Sequence, residues 1–148
     1  MRICGARFPI MGLALGLPAA AAPAPILWDF EAPEAVWQPR AKTVSVERVE
    51  GRGATDASRA FLRVHGRIEG GWNYACSEPR PLDAGRLYRL SAWLRVDKTG
   101  PSTPMPYLKC EFVGADPKAD LGRAQTDAAD AGAMGRWQRV AGEFRTPE

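Results

Sequence analysis

The chain has few of the residues with which most enzymes and metal proteins perform their chemistry. Among its 148 residues there is one histidine, His65, and there are three cysteines. A single histidine offers one candidate for a catalytic triad, with no partner motif beside it, and a surface position on a strand accounts for it equally well. The sequence contains no Cys/His cluster with zinc-ligand spacing and no glycine-rich phosphate loop before a helix. The composition therefore favours binding over catalysis.

Excess charge and long apolar runs are also missing. The net charge is +3, and Arg2 and Arg7 near the start contribute two of these charges, which leaves +1 for the remainder. This is not the electrostatic footprint of a nucleic-acid-binding protein. The apolar run over residues 10–17 is too short to cross a bilayer as a helix. We therefore expect no nucleic-acid partner and no membrane span in the mature chain.

Residues 1–21 have the pattern of an export signal. Arg2 and Arg7 precede the short apolar run, Pro18 ends it, and the alanines at 19–22 are the small residues that signal peptidase requires. Cleavage is predicted after Ala21, because a cut one residue later would leave Pro23 at the new N-terminus. The alternative is an uncleaved membrane anchor. Cleavage predicts a secreted or periplasmic protein, in a compartment whose oxidising conditions permit disulfides.

Glycine and proline are abundant, at 15 and 13 residues, and no long helical period is present, which favours an all-β chain. The longest alternation covers residues 85–96 and predicts a strand with one apolar and one polar face. Trp93 is the exception, because it is a large aromatic on the polar face. The apolar parity holds Tyr88, Leu90, Ala92, Leu94 and Val96, and the other holds Arg89, Ser91, Trp93 and Arg95.

Shorter patterns predict six further strands, with Val64, Val140 and Phe144 among the inward-facing residues. Residues 116–135 are polar and alanine-rich, and they contain either a short strand near Gln125 and Thr126 or a helical turn. Seven or eight short strands separated by turn residues predict a β-sandwich. The six strands are residues 26–31, 41–50, 59–65, 72–76, 107–113 and 137–144.

Four segments in order, at residues 28–31, 60–64, 85–96 and 137–147, resemble the CenC-type carbohydrate-binding modules of families 4, 9 and 22. These modules are jelly rolls of the galactose-binding-like kind. The resemblance extends over residues 26–148 and implies a two-sheet antiparallel β-sandwich. Family members usually continue for another strand or two after the last segment. The sandwich is therefore expected either to lack its closing C-terminal strand, as a fragment would, or to close differently.

A sugar-binding face needs flat aromatic surface for pyranose rings and polar groups for the hydroxyls. The resemblance implies a ligand in a cleft on the concave sheet or at its edge loops, on the strands that carry the outward aromatic residues. The alternative is that the aromatics are buried and that the charges form a cross-strand pattern on a solvated face. The predicted carbohydrate-binding residues are Trp72, Asn73, Tyr74, Trp93, Tyr107, Lys109 and Glu111.

Two further structural features are expected. The resemblance implies a structural calcium between the first and the closing strand, with Glu31 as the matching ligand; no other cofactor is required. Cys76 and Cys110 are both predicted to face inward, so they form either a disulfide or two free core thiols.

The resemblance implies non-catalytic binding of a polysaccharide, as an accessory to an attached catalytic domain such as a glycoside hydrolase. The alternative is an exported β-sandwich with an interaction or structural role and no sugar ligand. An enzyme of the glycosidase type would need two carboxylates a few ångströms apart. In the acidic cluster of Asp29, Glu31 and Glu34, only the first two share a parity, and Pro33 interrupts the segment.

Overall fold

The computed structural model describes residues 25–27, 29–32, 37–66, 74–101, 103–114 and 120–148. Within them the chain is all-β, and every strand pairing is antiparallel, as expected for a β-sandwich. The pairs are β1 with β4, β2 with β3, β5 with β8, and β6 with β7. The strands are β1 Trp37–Pro39, β2 Val44–Glu50, β3 Ala60–Gly66, β4 Ala75–Ser77, β5 Leu87–Arg95, β6 Lys109–Val113, β7 Asp120–Gln125 and β8 Trp137–Arg145, with a 3-10 turn at Ala131–Ala133.

The longest pair is β5 with β8, in which nine residues face nine from Leu87 opposite Arg145 to Arg95 opposite Trp137. Exposure alternates strictly along β5, with Trp93 on the exposed parity. The alternation read from the sequence is therefore confirmed. It gives the pair one face toward the core and one face toward solvent.

The core lies under the inward face of the β5–β8 pair. Val96, Ala129 and Val140 are buried there, and Leu108, just before β6, packs against them. Next to this cluster the Phe144 ring stacks on Tyr88, with centroids 5.8 Å apart, and lies 5.4 Å from Phe112 of β6. The inward faces of β5–β8 and of β6 are thus packed against each other, as two layers of a sandwich are.

Gly142 of β8 lies very close to the backbone at the end of β7, the strand paired with β6. A Cβ there would lie 2.5 Å from the Gln125 carbonyl oxygen and 3.1 Å from the Thr126 Cα. Both are backbone atoms at the end of β7, so they cannot turn aside as a side chain would. Only glycine permits the crossing at this distance.

Two strand predictions change. Residues 26–31 were expected to form a strand, but the described part of this segment is not strand, and Phe30 has a φ of +58° that an extended chain does not adopt. Trp37–Pro39, which no pattern predicted, forms β1 against β4. For residues 116–135 the sequence left a short strand and a helical turn as alternatives, and the segment contains both, as β7 and the 3-10 turn.

Val64 was predicted to face inward and is 45% exposed. The physical reason is the position of β3. β1 lies beside β2, whereas the described residues contain no strand paired to the other edge of β3. By contrast, Val140 is only 3% exposed and Phe144 packs between two rings, so both inward predictions in β8 are confirmed.

In the described part of the chain there is no helix with the length and apolarity needed to cross a bilayer.

Candidate functional site

Trp93 is the most exposed aromatic ring on the β5–β8 pair, with 47% of its surface accessible. It belongs to the outward face, which β5 and β8 form together because directly paired residues of antiparallel strands share a face. This outward face is defined by Leu87, Arg89, Ser91, Trp93 and Arg95 of β5 and by Trp137, Arg139, Ala141, Glu143 and Arg145 of β8.

The pairing register places a row of small side chains beside Trp93, and we call the strip that this row and its two neighbouring rows form the trough. Ser91 lies opposite Ala141, and this row of two small side chains forms the floor. On one side of it is the row of Trp93 and Arg139, and on the other is the row of Arg89 and Glu143. Rows on one face are about 6.8 Å apart, so the two flanking rows are separated by about 14 Å. The trough therefore has an aromatic wall, a flat floor and hydrogen-bonding groups on both sides.

The arginines of the outward face differ in how far they are already engaged. Arg95 donates from Nε to Asp97 Oδ1 at 2.7 Å, and Arg145 donates to the Gly85 carbonyl oxygen. Arg89 and Arg139 make no hydrogen bond or ion pair with any described residue. Within the described part of the chain, the two guanidinium groups beside the trough thus have no partner that would compete with a ligand.

The face continues past Arg95 to the loop between β2 and β3. Phe61 contacts the Trp137 ring edge to face, with centroids 5.8 Å apart. A depression of about 580 Å³ lies next to this contact, and its polar wall includes Arg52 and Asp56, which pair at 2.8 Å. The depression is lined by Arg52, Gly53, Ala54, Thr55, Asp56, Arg95 and Trp137.

A second cluster brings together Tyr74, Lys109 and Glu111, all predicted from the sequence as site residues. Lys109 Nζ lies 2.6 Å from Glu111 Oε1 and 6.0 Å from the centroid of the Tyr74 ring, which is 41% exposed. The hydrogen bond to Glu111 raises the pKa of Lys109, and its partial burial opposes this. Arg40 joins the cluster, because its hydrogen bond with the Tyr74 side chain raises the pKa of the guanidinium.

The structure places Trp93 and the second cluster on opposite surfaces. Trp93 has the parity opposite to Tyr88, and Lys109 and Glu111 have the parity opposite to Phe112. Tyr88 and Phe112 both pack on Phe144 between the layers. The predicted site is therefore divided into two separate surfaces instead of forming one groove.

The remaining predicted residues add little to either surface. Tyr107 is half-buried and acts weakly on Lys109 through its electrostatic field. Trp72 and Asn73 lie outside the described residues. The sequence predicts no role for Trp137, Arg139 or Ala141 in the site. Their position beside Trp93 follows from the register between β5 and β8, which no local pattern contains.

The predicted calcium ligand has other partners. Glu31 Oε1 accepts hydrogen bonds from the backbone N–H groups of Arg59 at 2.8 Å and Ala60 at 3.4 Å. Arg48 donates to the Phe30 carbonyl oxygen at 2.7 Å and to the Glu31 carbonyl oxygen at 2.9 Å. The guanidinium cation of Arg48 thus already binds the two backbone carbonyl oxygens next to the Glu31 carboxylate. The described residues contain no group of three acidic, His or Cys side chains able to hold a metal. Calcium at Glu31 stays a prediction that these contacts do not favour.

Cys76 of β4 and Cys110 of β6 are free, half-buried thiols in the structure. Burial raises the pKa of Cys110, and the nearby Glu111 carboxylate adds to this effect. Of the two alternatives from the sequence, the structure contains the free thiols. A thiol with a raised pKa is a poor nucleophile at neutral pH.

Comparison of the chain with family models, with curated proteins and with solved structures found no match. The resemblance to carbohydrate-binding modules therefore stays a prediction.

Proposed function

We propose that this protein is an exported, non-catalytic module that binds a polysaccharide, as an accessory to a polysaccharide-degrading protein. The observation that carries the proposal is the trough on the outward face. An exposed tryptophan lies beside a floor of small side chains, with free guanidinium groups on both sides. Pyranose rings bind to such surfaces through their CH-rich faces and through their hydroxyl groups.

The geometry of the trough supports recognition of a chain rather than of a single sugar. Its long direction runs across the strands, from β5 to β8, and the described residues contain no further strand paired to either one. At the β8 end of the floor the Asp127 N–H donates to the Ala141 carbonyl oxygen at 3.1 Å, so the backbone of residue 127 borders the trough there. A bound polymer would lie across both strands and pass over this border. Binding of this kind holds an attached catalytic domain close to its substrate and so raises its effective concentration.

The described charges of the outward face favour binding over hydrolysis. A glycosidase that uses two carboxylates needs them about 5–10 Å apart across the scissile bond. Glu143 is the single acidic side chain on the outward face as defined, and its neighbour across the strands is Arg89. The groups beside Trp93 can accept and donate hydrogen bonds, but they do not include the pair of acids that this reaction requires.

A second candidate function is supported by the same residues. Tryptophan and arginine are the side chains that most often dominate protein–protein interfaces. Among the described residues each strand is paired on one side only, and an unpaired edge is a place that another chain can extend. An interaction domain with no sugar ligand would use the outward face against a protein partner. The two functions differ in whether a soluble glycan alone occupies the face.

The test is a titration of intrinsic tryptophan fluorescence with neutral and acidic soluble glycans. Trp93→Ala removes the proposed stacking surface, and Tyr74→Ala is the matched control because it removes an aromatic ring of similar exposure from the opposite surface. We expect a saturable change with at least one glycan, kept in Tyr74→Ala. Because Trp93→Ala also removes the reporting indole, its loss of binding is measured by isothermal titration calorimetry with the same glycan. No binding of any glycan to a protein shown to be folded by circular dichroism would support the interaction domain instead.

A further inference from the structure

We propose that the glycan bound in the trough is acidic, with carboxylate or sulfate groups along its chain. The proposal rests on the function proposed above and names the chemical class of its ligand. Its starting observation is the charge of the outward face, where four arginines stand against one glutamate and no lysine is present. Asp97 neutralises one of these arginines, Arg95, which leaves an excess of two positive charges on the face, against one for the whole chain without residues 1–21. Positive charge is therefore concentrated on the face that carries Trp93.

The free arginines lie where successive units of a polymer would meet them. Arg139 is directly opposite Trp93, and Arg89 is on β5 at the far side of the Ser91–Ala141 floor. Their backbones are about 14 Å apart across the trough, from the row spacing and the distance between strands. Both long side chains can reach over the floor from opposite sides. A sugar ring stacked on Trp93 would direct its own charged substituent toward one of these arginines. The next sugar along the polymer would direct its substituent toward the other.

The residue type fits this ligand better than it fits a neutral sugar. The planar guanidinium binds a carboxylate or a sulfate through two parallel hydrogen bonds, and it is less strongly hydrated than an ammonium group. The opposite surface provides the contrast, because there Lys109 is already paired with Glu111 at 2.6 Å. Neutral sugars are bound well by amides and carboxylates, and they do not require unpaired cations.

The form of the site favours an acidic glycan over other polyanions as the ligand. Binding of single-stranded nucleic acid relies on a charged groove with several aromatic side chains, each stacking on one base. Here one exposed ring lies in a trough two strands wide. The expected export of the chain also separates it from nucleic acid. We therefore commit to a polysaccharide and treat an oligonucleotide as an outcome of the test.

The experiment compares matched polymers that differ in charge alone. Polygalacturonate is titrated against its fully methyl-esterified form, and dextran sulfate against dextran, by isothermal titration calorimetry at low and at physiological salt. Arg139→Gln and Arg89→Gln remove the proposed contacts. Arg123→Gln is the matched control. Arg123 of β7 lies directly opposite Glu111 of β6 in the strand register, so its side chain is on the surface that carries Lys109 and Glu111 and not on the outward face.

We expect tighter binding of the acidic member in at least one pair, by about tenfold at low salt, with a preference that weakens as salt increases. Arg139→Gln should remove most of that preference, and Arg123→Gln should leave it unchanged. Equal binding of acidic and neutral members, lost in Trp93→Ala, would overturn the acidic ligand and leave polysaccharide binding in place. Binding of neither by the folded protein would overturn both proposals. A single-stranded oligonucleotide bound as tightly as the acidic glycan, and lost in Arg139→Gln, would also overturn the acidic glycan.

Discussion

The crossing at Gly142 makes a quantitative prediction about stability. Alanine at this position would place its Cβ 2.5 Å from the Gln125 carbonyl oxygen and 3.1 Å from the Thr126 Cα. Because both contacts are to backbone, β7 and β8 must move apart to admit the methyl group, and overpacking of this kind costs about 3 kcal/mol. Replacing a glycine in a strand by alanine offsets this by about 0.5–1 kcal/mol through the lower entropy of the unfolded chain. We expect Gly142→Ala to be destabilising by about 2 kcal/mol.

For a chain of this size that loss lowers Tm by about 6 °C, measured by differential scanning calorimetry or by circular dichroism. Gly132→Ala is the control, because a Cβ at Gly132 meets only the flexible Asp130 side chain, with its nearest oxygen 3.3 Å away. It should change the free energy of unfolding by less than about 0.5 kcal/mol. An unchanged or raised Tm for Gly142→Ala would contradict the close crossing of β7 over β8, and with it the layer packing described here.

Three further predictions concern contacts away from the trough. Arg48→Met removes the two hydrogen bonds to the Phe30 and Glu31 carbonyl oxygens, together with an ion pair to the exposed Glu50, and should lower the free energy of unfolding by about 2 kcal/mol in urea denaturation. Arg63→Met loses an exposed ion pair and a contact with the Phe61 ring but no hydrogen bond to backbone, and it should cost under about 1 kcal/mol. Equal losses would contradict the conclusion that Arg48 holds residues 30 and 31 against β2. Thr146→Val removes a buried hydroxyl that accepts from the Arg86 N–H and donates to the Asp83 carbonyl oxygen, and it should cost about 1–3 kcal/mol by the same assay. Because the pKa of Cys110 is raised, its alkylation near pH 8 should be slower than that of a small-molecule thiol, and the rate should continue to increase above pH 9. An alkylation rate that levels off below pH 8.5 would contradict the burial of this thiol.

The sequence was most informative where one strand has a long, regular pattern. Nine residues of alternation were enough to place β5 and to identify Trp93 as the aromatic on its polar face. It failed where a short apolar segment imitated a strand, because Phe30 turns the chain with a positive φ. β1 was missed because three residues ending in a proline carry no period that could be recognised.

The candidate site shows a second limit on what can be predicted from the sequence. Parity tells whether a side chain points away from its own sheet, but in a sandwich the two outward directions are opposite. Trp93 and Lys109 were both correctly predicted to face outward, yet the packing of Phe112 against Phe144 separates them by the thickness of the protein. The neighbours that make the trough depend on the register between strands about 50 residues apart. Such a register is specified by the whole fold rather than by either strand.

The small net charge of the chain, +3, also concealed the charge of the outward face. Away from the β5–β8 pair, positive side chains are commonly neutralised in place, as in the pairs Arg63 with Glu47 and Lys109 with Glu111. On the outward face Arg89 and Arg139 have no such partner among the described residues. Net charge predicts how a whole protein behaves toward a distant polyanion, whereas binding depends on charges that are unpaired and close together. A chain with a small net charge can therefore still place arginines that have no described partner on one surface, and here that surface also carries the exposed tryptophan.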